Sequence, residues 1–462
     1  GGGLVALSPS VVAAASIATT DACFVLFALL ALAALHRYQL RPSPGAFMAV
    51  GVALGLALAA KQSAVVLVPV ALVELLLKAP RRDPGATRVD AAPRAVGWVG
   101  LRLAGLVGLA FIVDWALYGF GWAPRFGAAG THATIPVVVP MVAALLPDGE
   151  AVMEFVRRLG PPLALDTFVG QLDHAAGGHS AFLMGRHSSR GWWYFFPTAI
   201  AVKSTPVELV LIGSAVASAF RVASWRDPAR RLWLGAATAL LGLGMASALN
   251  IGHRYMLLLY PLIALLGADR LGDAAGRGPA RAMIVGVLLL AGQAVSAARI
   301  APHYLSYFNG LCGGPTNGYL YLVDSSLDWG QDLPSLRREL EARGYRKVAL
   351  CYFGTAKPGS YGLRAMDWRA PEHPVDAGCD WLAISATALQ GAYSGSAELF
   401  DRFGALPSAR AGYSIFLYDL KDPRVRAALD AVRSGPIRRG SNRGPDSAVT
   451  SPRGVEVGRI RD

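Results

Sequence analysis

Long apolar runs separated by short polar segments most restrict how this chain can fold. They recur through the first 300 positions, at about 22–35, 46–60, 64–77, 96–118, 207–220, 232–249, 256–268 and 282–298. A helix needs about 20 mostly apolar residues to cross a bilayer. Of the 462 residues, 53% are hydrophobic and 16% are charged, which is too apolar for a soluble protein of this length. The sequence therefore predicts a mainly α, polytopic transmembrane helix bundle.

The basic residues predict which side of the membrane each loop occupies. Arginines and lysines concentrate in cytoplasmic loops, and here they follow apolar runs at 37–41, 78–94, 221–231 and 270–281. The intervening loops carry polar clusters at 19–21, 61–63, 203–205 and 250–255. All four clusters are thus predicted on the extracytoplasmic face. Ionisable groups near a bilayer are costly and usually functional, so this grouping predicts a site at that surface.

Charge and cysteine content exclude other classes of protein. The net charge is +13, but the basic residues lie in short loops and in the C-terminal tail, without interleaved aromatic residues. We therefore expect contact with membrane lipids and no nucleic acid. The four cysteines lack the paired spacing of a zinc site. Cys351 and Cys379 lie in a region predicted to be extracytoplasmic, where a disulfide is permitted, and free thiols are the alternative.

The chain divides into three parts by composition. Residues 1–300 form the predicted transmembrane domain, with an outer loop at about 119–191 that leads into an aromatic cluster at 192–196, interpreted as an interfacial belt. Residues 301–433 have the composition of a small extracytoplasmic α/β domain. Its expected strands are 347–353, 381–385 and 413–418, and its expected helix is 333–343. Residues 434–462 are rich in Arg, Gly, Ser and Pro, which predicts a disordered basic tail.

The first two polar clusters offer two interpretations each. Asp21 begins a span, where it can cap the helix or serve as an acidic member of a site. Lys61 can extend towards the headgroups or bind a lipid phosphate. In the last cluster, Arg254 offers a bidentate fork for phosphate oxygens and His253 can relay a proton, with Tyr255 beside them. Two cations beside an apolar groove favour a lipid-linked phosphate.

A second candidate region lies at 323–333, where carboxylates, an amide and an indole are concentrated. One interpretation is a turn followed by a helix cap, with Asp332 capping a helix from Leu333. The other is recognition of a sugar or other hydroxyl-rich group. Asp324 and Asp328 could bind a divalent cation, but the sequence identifies no further ligands for its coordination shell. A metal is therefore left open. The candidate residues are Asp324, Asp328, Trp329, Gln331 and Asp332.

At these residues the chain resembles the dolichyl-phosphate-mannose protein mannosyltransferase-like family of bacterial polyprenyl-phosphate-dependent glycosyltransferases. The resemblance covers about residues 4–360, and its most specific motifs are at 313–315 and 324–333. The other matching motifs are at 7–9, 18–21, 55–57, 61–64, 250–255, 260–261 and 306–309.

The resemblance implies a type C glycosyltransferase fold in the bacterial plasma membrane, with the site and the C-terminal domain outside. It implies inverting transfer of a sugar, a hexose, from a polyprenyl phosphate to a protein, lipid or polysaccharide acceptor. Lys61 and Arg254, beside His253 and Tyr255, then hold the leaving phosphate, and Asp21 is the catalytic candidate. The family's main acidic pair lies in the first outer loop, which we expect upstream of this sequence.

The resemblance leaves two other functions to be tested. A transporter or flippase for a lipid-linked precursor would use the same groove without breaking a bond. A non-catalytic membrane scaffold would bind a partner through its outer domain. None of these three hypotheses assigns a cofactor. Whether a divalent metal takes part is left open.

Overall fold

The computed structural model describes residues 1–17, 19–78, 88–122, 162–276, 278–368 and 378–434, and this part of the chain is mainly helical. The prediction of a mainly α protein is therefore confirmed. The predicted tail beyond Ser434 and residues 123–161 of the predicted outer loop lie outside the described residues.

The N-terminal two-thirds contains the apolar helices. The first six are α1 (Gly2–Ala6), α2 (Pro9–Ser16), α3 (Asp21–Leu40), α4 (Pro44–Ala60), α5 (Leu67–Lys78) and α6 (Arg88–Leu117). After them come α7 (Leu163–Gly177), α8 (Phe195–Lys203), α9 (Pro206–Ala219), α10 (Val222–Arg226), α11 (Pro228–Ala246), α12 (Leu259–Ala275) and α13 (Pro279–Ile300). By length and composition, four described stretches can cross a membrane: Asp21–Leu40, Val96–Leu117, His253–Ala275 and Pro279–Ile300. The prediction of several membrane spans is confirmed at this level, and the type C arrangement stays a prediction.

Proline sets the start of several of these helices. In α4, α9 and α11 proline is the first helical residue, and the residue before it accepts a hydrogen bond from a backbone N–H of the first turn. These caps are Ser43, Thr205 and Asp227. Proline suits the first position because its missing N–H would have no partner there, and the polar cap satisfies another free N–H. The sequence thus determines where these three helices begin.

Two glycines let α4 and α6 pack closely. A Cβ atom added to Gly55 would lie 2.6 Å from the carbonyl oxygen of Ala110, and one added to Gly51 would lie 2.5 Å from the Leu109 side chain. Small residues at such contacts allow helix backbones to approach within a membrane. Because α4 ends at Ala60, this contact also determines where Lys61 lies.

A buried ion pair joins three helices at the end of the bundle where the sequence predicts the cytoplasm. The guanidinium of Arg231 in α11 donates to both carboxylate oxygens of Glu74 in α5, at 3.0 and 2.8 Å. Gln39 in α3 also donates to Glu74. The pairing satisfies a carboxylate that is only 3% exposed.

The described end of the predicted outer loop is structured. Helix α7 is followed by a hairpin of β1 (Ala181–Leu183) and β2 (Arg186–Ser188), which the sequence did not predict. The aromatic cluster after it differs from the predicted interfacial belt. Phe195 and Phe196 are 2% and 1% exposed and pack in the core, while Trp193 is 64% exposed. Composition identified the aromatic residues, but only packing decided which of them point inward.

The C-terminal part contains a five-stranded sheet. Its strands are β3 (Val348–Cys351), β4 (Ala365–Asp367), β5 (Trp381–Ser385), β6 (Ala409–Ala411) and β7 (Ile415–Asp419), in the order β4-β3-β5-β7-β6. Strand β3 is parallel to β4 and β5, whereas β7 is antiparallel to β5 and β6. The helices are α14 (Leu333–Ala342), α15 (Ala386–Leu389), α16 (Glu398–Phe403) and α17 (Pro423–Ser434).

The three expected strands and the expected helix are present. The two that were not predicted, β4 and β6, have three residues each, too few for an alternating pattern to be recognised. The central strands β3, β5 and β7 are buried on both faces of the sheet. The segment at 304–329, which precedes this sheet in the chain, helps to form the pocket described next.

Candidate functional site

A pocket lies where three of the four polar clusters, those at 19–21, 203–205 and 250–255, meet the segment at 304–329. Helix α2 and the residues after it form one wall, the segment at 253–257 forms a second, and residues 304–329 close the third. The lining residues are Ser10, Ala13, Ala14, Ile17, Thr19, Asp21, Lys203, His253, Arg254, Leu257, Tyr304, Leu305, Ser325, Ser326 and Trp329.

Asp21 lines this pocket and is the counter-ion of two cations, of which Arg254 lines the pocket and Lys61 does not. Its side chain is 3% exposed, forms an ion pair with Lys61, and lies 3.6 Å from an Nη atom of Arg254. Asp21 is the first residue of α3, and no side-chain capping bond is formed at this helix start. The predicted capping hydrogen bond is therefore not formed, although Asp21 does lie in the first turn of α3, where a carboxylate suits the helix dipole. The carboxylate instead joins residues from three distant segments.

Lys61 turns inward and does not extend to the surface. The backbone at Lys61 is extended (φ −162°), so α4 ends there and the side chain lies against its neighbours. The ammonium is 4.1 Å from the centroid of the Tyr255 ring, and the side chain is 15% exposed. The Lys61 ammonium is thus held between the carboxylate of Asp21 and the aromatic face of Tyr255.

Arg254 lies between two aromatic rings at the edge of the pocket. Its guanidinium carbon is 4.3 Å from the Trp329 ring centroid and 5.5 Å from that of Tyr255. Its Nε is buried without a hydrogen-bond partner, and so is the hydroxyl of Thr19, another lining residue. Buried polar groups normally have partners, so two unpaired donors at one pocket indicate a missing acceptor.

His253 is buried and its ring is already bonded. One ring nitrogen lies 2.7 Å from the hydroxyl of Tyr260, and that hydroxyl lies 3.0 Å from Ser204. The backbone N–H of His253 donates to the Ser326 hydroxyl at 3.0 Å. His253 therefore lines the pocket as part of a hydrogen-bonded chain that continues into the helix bundle.

The cluster at 203–205 splits between two places. Lys203 is 3% exposed, lines the pocket and donates to the carbonyl oxygens of Leu305 and Ser326, both at 2.7 Å. Burial lowers the pKa of Lys203 to about 7. Thr205, by contrast, caps α9 together with Glu208 and does not line the pocket. Lys203 thus links α8 to the segment at 304–329 by hydrogen bonds.

The segment at 324–332 is held mainly by its own polar side chains. Asp324 accepts hydrogen bonds from the Tyr393 hydroxyl and from the N–H of Ser325. Asp328 is fully buried and accepts from the N–H of Thr387 at 3.1 Å, while its other oxygen has no partner. Burial raises the pKa of Asp328 to about 7.

The carboxylate of Asp332, at the end of this segment, also accepts several hydrogen bonds from the protein. Asp332 accepts from the N–H groups of Tyr413 and Ser414 at 3.1 and 3.0 Å, and from the Ser414 hydroxyl at 2.8 Å. It occupies the capping position of α14 but makes no side-chain capping bond, so the predicted cap is wrong. Gln331 accepts from the N–H of Trp329 at 2.8 Å and closes the turn.

These contacts distinguish the predicted residues of this segment. Of Asp324, Asp328, Trp329, Gln331 and Asp332, only Trp329 lines the pocket, where its ring lies against Arg254. Among the described residues, no group of three His, Cys, Asp or Glu side chains could hold a metal ion. The hydrogen bonds of the polar residues in this segment therefore hold the Trp329 indole in its position at the pocket.

Sequence reasoning missed the residues that hold this segment from the C-terminal side. Thr387 and Tyr393 lie after β5 in a stretch without a recognisable motif. Ser10, which lines the pocket from α2, was also missed. A polar residue in an otherwise apolar helix gave the only signal for it, and such residues tend to face a protein interior.

Comparisons with known proteins agree with the N-terminal part of this description. Residues 1–90 match the family model described as dolichyl-phosphate-mannose-protein mannosyltransferase. No curated protein and no solved structure matches the chain. The matched segment contains both Asp21 and Lys61, and it supports the resemblance of this chain to the dolichyl-phosphate-mannose-protein mannosyltransferase family.

Proposed function

We propose that this protein is a membrane glycosyltransferase that moves a hexose from a polyprenyl-phosphate carrier to an acceptor on the extracytoplasmic face. The observation that carries the proposal is the pocket at which Lys61 and Arg254 share the counter-ion Asp21, beside unpaired donors on Thr19 and Arg254. Cations and hydrogen-bond donors without acceptors favour an anionic ligand.

The same pocket has an apolar wall that suits the lipid part of such a donor. Ala13, Ala14 and Ile17 project from α2 and the stretch after it, and Leu257 lies opposite on the approach to α12. A polyprenyl-phosphate donor has a charged phosphate and an apolar chain, so it needs both the cations and the apolar wall. A free phosphate would need only the cations.

The geometry supports stabilisation of the leaving group as the main catalytic effect. An acceptor oxygen attacks the anomeric carbon, the bond from that carbon to the phosphate oxygen breaks, and its electron pair stays on the phosphate. Lys61 and Arg254 stabilise this charge, because they are fixed by Asp21 and by aromatic faces before the reaction. A carboxylate takes the acceptor's proton, and attack opposite the phosphate inverts the anomeric centre.

The experiment compares transfer of radiolabelled hexose from polyprenyl phosphate to membrane acceptors by the complete natural polypeptide and its variants. Lys61→Met and Arg254→Gln should each lower kcat about 100-fold, as expected for loss of one group that stabilises an oxyanion. Arg346→Gln is the control, because the Arg346 side chain is 78% exposed. Wild-type rates in both pocket variants would contradict the assignment, and binding of the lipid without transfer would favour a transporter.

A further inference from the structure

A cluster of four aromatic rings lies next to the pocket and belongs to neither the phosphate site nor the predicted acceptor residues. It consists of His174 from α7, His179 before β1, Phe353 after β3 and Tyr393 after α15, and is called the ring cluster below. All four side chains are half-buried. Rings from four separate segments thus converge at one half-exposed surface.

The geometry of the ring cluster provides a flat face with polar edges. The rings of Phe353 and Tyr393 are stacked, with centroids 5.3 Å apart and an angle of 19° between the planes. His179 meets Tyr393 edge-on at 5.5 Å, and His174 meets His179 at 5.6 Å. Flat aromatic faces with a few polar groups at their edges are typical of sites for small polar ligands.

Asp324 connects the ring cluster to the pocket. The Tyr393 hydroxyl donates to its carboxylate, and its own N–H donates to the Thr387 hydroxyl oxygen at 2.9 Å. Both His179 and Arg254 lie close enough to act electrostatically on the carboxylate. Asp324 therefore stands between the ring cluster and the cation that the proposed function assigns to the donor phosphate.

The backbone at Asp324 is strained to reach this position. Its φ is 54°, in the left-handed region that residues other than glycine rarely adopt. Such strain persists where surrounding contacts enforce it, and it concentrates at functional sites. Here the enforcing contacts are those from Thr387 and Tyr393.

We propose that the ring cluster is the acceptor subsite and that it binds a carbohydrate acceptor, whose sugar ring lies on the face of Phe353 opposite to the one stacked on Tyr393. The C–H face of a sugar ring is apolar and flat, while its hydroxyls match the polar edges of His179 and Tyr393. Asp324 positions Tyr393 and thereby places the acceptor hydroxyl towards the pocket. This inference rests on the proposed function.

The test measures KM separately for the two substrates. The complete natural polypeptide is assayed in proteoliposomes with radiolabelled polyprenyl-phosphate hexose and the protease-treated glycan fraction of the producing cells' membranes. Phe353→Leu keeps most of the volume and removes the flat ring. It should raise the KM for the glycan about tenfold and leave the KM for the donor unchanged, and Tyr393→Leu should do the same.

Two further variants separate binding from structure. Tyr361→Leu is the matched control, since Tyr361 is an exposed aromatic residue of the same part of the chain and should change neither KM. Tyr393→Phe keeps the stacked ring but loses the bond to Asp324, so it should lower kcat more than it raises the glycan KM. A purely structural role would instead change both KM values together and lower the melting temperature.

The outcomes distinguish this proposal from the one it rests on. A glycan KM within twofold of wild type in both leucine variants would overturn the acceptor subsite, as would label that is transferred only to protein. If the wild-type protein transfers nothing, the proposed function fails. Equilibrium dialysis of the labelled glycan fraction against the protein then still decides whether Phe353→Leu weakens binding.

Discussion

At the scale of single residues, Asp21 joins the two cations to which the proposed function assigns the donor phosphate. It lies between Lys61 and Arg254, and its contacts hold both cations at the pocket. A carboxylate that neutralises two cations organises the charge that a phosphate meets. The sequence placed Asp21 on the predicted outer face, but the structure shows which partners define its role.

Asp328 makes the stability of the protein depend on pH. Burial raises its pKa from 3.8 to about 7, so the folded state favours the protonated carboxyl. This contribution, at most about 4 kcal/mol, is fully present below pH 3.8 and is lost as the pH rises to about 7. Thermal unfolding of the wild type should therefore occur at lower temperature at pH 8 than at pH 5.

The matched variant for this prediction is Asp328→Asn, which keeps the shape and cannot ionise. It should unfold at nearly the same temperature at both pH values and be more stable than the wild type at pH 8. An equal pH dependence in the two proteins would show that other groups control it.

At the scale of elements, the contact between α4 and α6 determines where Lys61 lies. Gly55→Ala places a Cβ atom 2.6 Å from a backbone oxygen, so the helices must separate. We expect a loss of about 1–3 kcal/mol in stability, the usual effect of overpacking. Transfer activity should fall as well, because α4 ends at Ala60, directly before Lys61. Thermal unfolding in detergent and the transfer assay measure the two effects.

The control is another glycine in the same helix pair. A Cβ atom at Gly108 in α6 would meet nothing within 4 Å, and alanine is the better helix former. Gly108→Ala should therefore leave stability unchanged or slightly raised. Equal destabilisation by both substitutions would mean that close approach at Gly55 is unimportant.

At the scale of the whole molecule, the N-terminal helices and the segment at 304–329 form the pocket together. Lys203 from α8 donates to two carbonyl oxygens of the segment at 304–329. Lys203→Met keeps the apolar stem and leaves those oxygens without their donor. The cost should be about 1–3 kcal/mol, the usual penalty for an unsatisfied buried group.

Hydrogen exchange checks this prediction. Residues 304–329 should exchange faster in Lys203→Met, and transfer should fall although Lys61 and Arg254 are unchanged. Lys421→Met is the control, because Lys421 is exposed. Unchanged exchange in the segment would show that the C-terminal part holds its position without Lys203.

The sequence alone determined the local features of this protein. Apolar runs, Ser-Pro and Thr-Pro starts and the central strands all depend on neighbours along the chain, so periodicity and capping chemistry predict them. The short strands β4 and β6 and the hairpin β1–β2 carry too few residues for that signal. For the site, the sequence predicted that the polar clusters lie on one face of the membrane, but it could not show which of their residues contact one another.

Only the tertiary structure decided which polar residues face a ligand and which face one another. Asp21 meets Lys61 forty positions away, since α3 and α4 pack together. Asp332 meets Ser414, which saturates a carboxylate that looked like a helix cap or a sugar ligand. The physical reason is that a buried polar group takes whichever partner long-range packing brings to it, and a linear pattern contains no record of that partner.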